Sequence, residues 1–106
     1  MADTTSLHEL IGDLAPKLAD LSEDMLFGDI WERPGLAKRE RSLITVAALV
    51  GQSRPDQLRH HLNRALDNGV SPEELAEAIT HLAFYQGWPS AMSAILLLKE
   101  VLAGRG

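Results

Sequence analysis

Asn68-Gly69-Val70-Ser71-Pro72-Glu73-Glu74 is a helix stop followed at once by a helix start. Asn68-Gly69 offers a left-handed C-cap, a conformation that glycine adopts without a Cβ penalty. Ser71 is an N-cap candidate, Pro72 suits the first helical position, and Glu74 is spaced to complete a capping box. Upstream, Leu58, Leu62, Ala65 and Leu66 recur at helical spacing; downstream, Leu75, Ala78, Ile79 and Leu82 do the same to about Gln86. Two helices joined by a tight turn follow from these signals.

The same punctuation extends outward. Gly51-Gln52-Ser53-Arg54-Pro55 opens the fourth helix, with Ser53 as a plausible cap. Before it, a helix from about Leu36 begins charged through Lys38-Arg39-Glu40-Arg41 and turns into the apolar run Leu43 to Val50, which belongs in the middle of a packed structure. Toward the N-terminus, Leu7, Leu10, Ile11, Leu14 and Leu18 share a helical face. Asp3, Thr4 or Thr5 can cap that helix, and Pro16 bends or ends it. Ser22 can cap a short second helix carrying Met25, Leu26, Ile30 and Trp31, which Arg33-Pro34-Gly35 closes. After Gly87-Trp88-Pro89 a last helix from about Pro89 to Leu102 is apolar around most of its circumference, more than a chain of 106 residues readily covers, so subunit contact is expected. No alternating strand pattern, repeat or linker occurs. The expectation is an all-α single domain, residues 1–106, of about six helices.

Ten basic against fifteen acidic residues give a net charge of -5, and no basic stripe exists to follow a phosphate backbone, so nucleic acid is not an expected partner. With no cysteine, disulfides, thiolate nucleophiles and dithiol redox chemistry are excluded. The N-terminal residues carry neither a basic region nor a long apolar run, and no segment has transmembrane length, so no membrane partner is expected and a cytoplasmic protein is.

Helical phasing at about 100° per residue places His61 beside Leu58 and Ala65 on the apolar stripe and sends His60 to the solvated side with Arg64 and Asp67. A histidine facing a core needs a partner, structural or chemical, and both readings stay open. Glu77, His81 and Tyr85 follow at intervals of four on one face of the fifth helix, which could line a pocket or be a solvated side with an ordinary Glu-His pair. Arg39 and Arg41 could hold a carboxylate through paired N–H donors, or simply pair with Glu40 and its neighbours. Trp31, Tyr85 and Trp88 have core packing as their default role. A zinc site would want three well-placed ligands, and no His-Glu-x-x-His spacing occurs, so no metal is expected. Ser53 lacks the setting of a nucleophile elbow, and the dispersed glycines form no phosphate-binding loop.

The ordered set Phe27-Gly28-x-x-Trp31-x-Arg33-Pro34-Gly35-Leu36, Arg41-Ser42-Leu43-Ile44-Thr45, Leu58-x-x-His61, Ala65-Leu66-x-Asn68-Gly69-Val70-Ser71-Pro72-Glu73-Glu74 and Tyr85-x-Gly87-Trp88-Pro89 resembles the carboxymuconolactone decarboxylase family. That resemblance implies an alkylhydroperoxidase D-like helical fold and a homo-oligomer, trimer or hexamer, with sites near subunit contacts. In the alkylhydroperoxidase D branch a Cys-x-x-Cys precedes a histidine, with three residues between them. Aligning that histidine with His61 puts Arg54 and Gln57 at the cysteine positions and Ser42 at the branch's upstream glutamate. A thiol peroxidase is thereby excluded.

The decarboxylase branch implies loss of CO2 from a small anionic lactone in aromatic catabolism, without a cofactor. Such a site must hold carboxylates, stabilise a dienolate and return a proton. By this resemblance His61 is the proton donor or electrostatic stabiliser and Arg41 the carboxylate or oxyanion partner. His81, Tyr85 and Trp88 are the substrate-binding candidates. The competing reading is a non-catalytic oligomeric module that binds a small molecule or a protein on the same scaffold.

Overall fold

A computed structural model describes residues 7–106. Every regular element among them is helical, in the order α1 (Leu7–Ile11), α2 (Pro16–Asp20), a π-helical segment (Leu21–Phe27), a 3-10 turn (Ile30–Glu32), α3 (Lys38–Gln52), α4 (Pro55–Asp67), α5 (Pro72–Gln86) and α6 (Trp88–Arg105). The all-α expectation holds. Two units divide the chain, one ending at Lys38 and one running from Arg39 to Gly106.

In the first unit Pro16 sits at the start of α2, so the break after Ile11 falls where proline forbids continuation. The cap candidates Asp3, Thr4 and Thr5 lie outside the described residues. The start of α1 is instead satisfied by Glu23, whose Oε1 accepts from the backbone N–H groups of Leu7 at 3.0 Å and His8 at 3.3 Å. The His8 ring lies between two carboxylates, Nδ1 2.8 Å from Glu23 Oε2 and Nε2 2.6 Å from Asp20 Oδ1. These contacts raise the His8 pKa above its ordinary value, the Asp20 hydrogen bond contributing most. Ser22 does not cap a helix. The chain runs from α2 straight into the π-helical segment, and the Ser22 hydroxyl donates back to the Leu18 carbonyl at 2.8 Å. Trp31 is buried, whereas Met25, Leu26 and Ile30 are exposed.

The second unit is built on the predicted stop-start turn. Asn68 closes α4 and Gly69 takes φ +97°. Val70 N–H then donates to Ala65 C=O at 3.0 Å and Gly69 N–H to Leu66 C=O at 3.2 Å, the paired bonds of a Schellman motif. Val70 and Ala65 are both in the core, so the motif carries its usual hydrophobic contact. Two residues on, Glu74 N–H donates to Ser71 Oγ at 3.0 Å and Ser71 N–H to Glu74 Oε1 at 2.9 Å, with Pro72 opening the helix. The capping box is complete, and α5 ends at Gln86 as its sequence predicts.

Buried side chains from four helices form one core, Val46 and Val50 of α3, Leu58 and Leu62 of α4, Leu75 and Ile79 of α5, and Leu97 and Leu98 of α6. Helix α6 packs on both α4 and α5. Its apolar circumference is split: Ala91, Ala94, Leu98 and Val101 face inward, and Met92 and Leu96 face out. The run Leu43 to Val50 is less central than its composition suggests. Only Val46 and Val50 in it are buried and Ile44 is exposed, because one helix face suffices to close a four-helix core. Ser53 is not the cap of α4 either. It adopts φ +53°, and Arg54 occupies the N-cap position without a side-chain hydrogen bond, since Pro55 fixes the first helical residue.

Candidate active site

Helix α4 carries His61 on the edge of its buried face, next to Leu58, Leu62 and Ala65. The side chain is half-buried. Removal from water lowers its pKa from 6.5 to about 4, with smaller contributions in the same direction from His60 and Arg64. His61 is therefore a neutral imidazole at pH 7, able to accept a proton and carrying no resting charge. His60 is not the solvated residue that helical phasing suggests. It is half-buried too, its ring meets His61 edge to face with centroids 5.1 Å apart, and its Nε2 stands 3.5 Å from Arg64 Nη2. A helical wheel assigns direction from the axis alone and cannot register two adjacent rings folding onto each other.

Arg41 and Ser42 are neighbours on the first turns of α3. Arg41 is half-buried and its carbonyl accepts from Thr45 Oγ1 at 2.8 Å. Ser42 is fully buried, and its Oγ accepts from Asn68 Nδ2 at 2.9 Å, tying α3 to the C-cap of α4. Arg39 is a structural arginine: its guanidinium reaches Glu40 at 3.1 Å and also pairs with Glu74. Of the two arginines considered for carboxylate binding, Arg39 is thus occupied by ion pairs.

On α5, Glu77 and His81 line an open cleft of about 410 Å³ shared with Leu43 and Ala47 of α3. Glu77 and His81 are both exposed on this face, and no Glu77–His81 ion pair forms among the described residues. Tyr85 stacks on His81 with ring centroids 4.9 Å apart, although it does not line the cleft. Core packing is overturned for two of the three large aromatics. Tyr85 is 75% and Trp88 60% exposed, and Phe84, 76% exposed, meets Trp88 edge to face at 5.7 Å. These rings gather where α5 gives way to α6 across Gly87, whose φ of +102° makes the corner, so they face away from the core that both helices share.

A second cavity, of about 480 Å³, opens where α3, the start of α4 and α6 meet, with Ser53, Arg54 and Ser90 at its polar side. Sequence reading assigned no site there. Locally the sequence offers only Arg54 directly before the helix-opening Pro55. No group of three or more His, Asp or Glu that could hold a metal occurs among the described residues.

Residues 16–100 match the carboxymuconolactone decarboxylase family. The chain belongs to that family. It is 36% identical over 98 residues to 4-carboxymuconolactone decarboxylase of Acinetobacter baylyi, a match covering 92% of this chain and 73% of that protein. It is 35% identical over 83 residues to nitrosuccinic acid decarboxylase npaB of Metarhizium robertsii, covering 78% of this chain and 58% of that protein. Both relatives are named as decarboxylases, and membership supports a lyase-like activity for this carboxymuconolactone decarboxylase family member. As the chain has no cysteine, a dithiol route is closed to it.

Proposed function

We propose that the protein is a cofactor-free carboxy-lyase acting on a small anionic lactone of aromatic catabolism, similar in activity to 4-carboxymuconolactone decarboxylase. The observation that carries this reading is the match to that enzyme over 92% of the chain, taken with His61 held neutral on α4. In such a reaction the bond to the departing carboxylate breaks, its electron pair delocalises toward the lactone carbonyl, and a proton must be delivered to carbon. Before substrate arrives, His61 with a pKa of about 4 holds almost no proton at pH 7. A bound dianion would raise that pKa, so substrate arrival itself would load the imidazole with the proton it later gives up. His61 fits the proton-carrying role better than that of a standing positive charge.

Arg41 is assigned the carboxylate or oxyanion contact, and the cleft bearing His81 the substrate's apolar side. Exposed Phe84, Tyr85 and Trp88 support a homo-oligomer, a trimer or hexamer, in which these rings are covered and Tyr85 and Trp88 can reach a site at a subunit contact.

The test is decay of lactone absorbance with purified protein and with His61→Ala. Turnover by the wild type and a loss of about 100-fold or more in the variant is expected. Full activity in the variant removes His61 from the reaction. No turnover of any related lactone by the wild type would instead favour a non-catalytic binding module.

A further inference from the structure

The cavity at the meeting of α3, α4 and α6 has a charge balance that the lyase reading does not use. Three ionisable side chains line it, Arg54, Arg59 and Glu100. Arg59 Nη2 is paired with Glu100 Oε1 at 2.9 Å, so those two cancel. Arg54 makes no ion pair among the described residues and is the one uncompensated charge at the cavity wall. Beside it the hydroxyls of Ser53 and Ser90 lie 3.3 Å apart. One of the pair donates to the other, which leaves one O–H available to a ligand. Opposite this polar side the wall is apolar, made by Val50, Leu58 and Leu97 of the core.

We infer that this cavity binds a small monocarboxylate with an apolar body, its carboxylate on Arg54 and the Ser53–Ser90 hydroxyls and its body against Val50, Leu58 and Leu97. A guanidinium presents parallel N–H donors that match a carboxylate's two oxygens. One net positive charge suits one negative charge: a second carboxylate would meet Glu100, whose own partner is already taken. The volume of about 480 Å³ lies in the range of small-molecule sites and exceeds what a bare inorganic anion needs. Ser53 holds a left-handed backbone at φ +53°, unusual for a residue with a side chain, and this places its hydroxyl against Ser90 rather than on the helix start. The residues proposed for the lyase reaction, His61, Arg41 and His81, do not line this cavity, and the substrate proposed there is a dianion rather than a monocarboxylate.

The experiment follows backbone amide shifts of the full isotope-labelled chain during titration with benzoate, neutral benzamide and inorganic phosphate. Benzoate is expected to give saturable shifts centred on Ser53, Arg54, Ser90 and Ser93. Benzamide and phosphate should bind at least ten-fold more weakly, and Arg54→Gln should weaken benzoate at least ten-fold with Arg54→Lys between. Arg54 is exposed, so neither variant removes core packing. Equal binding of benzamide, equal binding of phosphate, or an Arg54→Gln variant that binds benzoate like the wild type overturns the inference. So does a benzoate response centred on His61 or His81, or none at all. Lactone turnover can fail with benzoate binding intact, and the reverse, so the two readings are separable.

Discussion

Ser42 and Asn68, 26 residues apart, are joined by a 2.9 Å hydrogen bond from the Asn68 amide to the buried Ser42 hydroxyl. The bond secures the end of α4 to the first turns of α3. A part-buried amide that loses its acceptor is left with a poorly met donor. Ser42→Ala is expected to cost about 1–2 kcal/mol in urea unfolding. A cost near zero would mean that the bond contributes nothing to the join between α3 and α4.

Two serines that both precede proline-initiated helices are expected to respond differently. Ser71 caps α5 through a complete capping box, and Ser71→Ala should lower stability by about 1 kcal/mol. Ser53 is one residue too early to cap α4 and holds a strained φ, so Ser53→Ala should change stability by less than about half as much. Ser53→Gly relieves the left-handed backbone and should be neutral or stabilising. Thermal melts of the three variants check the order.

That contrast marks how far the sequence could be read. The turn from Asn68 to Glu74 was legible because all its chemistry is local: a glycine that tolerates positive φ, a serine, a proline and a glutamate at fixed offsets. The break before Pro16 was legible for the same reason. Ser22 and Ser53 mislead because residue type alone carries no register; Pro55 at the first helical position already makes Arg54 the cap. His60 and the aromatics near Gly87 depend on packing that a helical wheel does not contain. The Arg54 cavity was out of reach, since its walls come from positions about 40 residues apart in the chain, such as Ser53 and Ser90.

Exposed aromatics predict assembly behaviour. Phe84 and Trp88 contact each other and little of their own subunit, so Phe84→Ser with Trp88→Ser should leave the helical content of the chain unchanged. If these rings are covered by a second copy, the double variant shifts to smaller species in light scattering. A wild type that is monomeric at working concentration contradicts the proposed oligomer outright.

Histidines 8 and 61 should titrate on opposite sides of 6.5. His61 has a folded-state pKa of about 4, so between pH 6.5 and 4 the unfolded chain binds the proton and the folded one does not. Its contribution is present above pH 6.5 and is lost as the pH falls through that window. His8 has the reverse sign, being raised by Asp20 and then Glu23. Its stabilisation is present below pH 6.5 and is lost as the pH rises through its folded pKa. Imidazole carbon-proton shifts followed by NMR should give His61 a midpoint near 4 and His8 one above 6.5. His61→Ala should flatten the fall in stability on the acid side, and His8→Ala should remove a loss on the alkaline side. A His61 midpoint at or above 6.5 would show an imidazole that is hydrated in the folded chain, and with it the substrate-coupled proton loading proposed for the reaction would lose its basis.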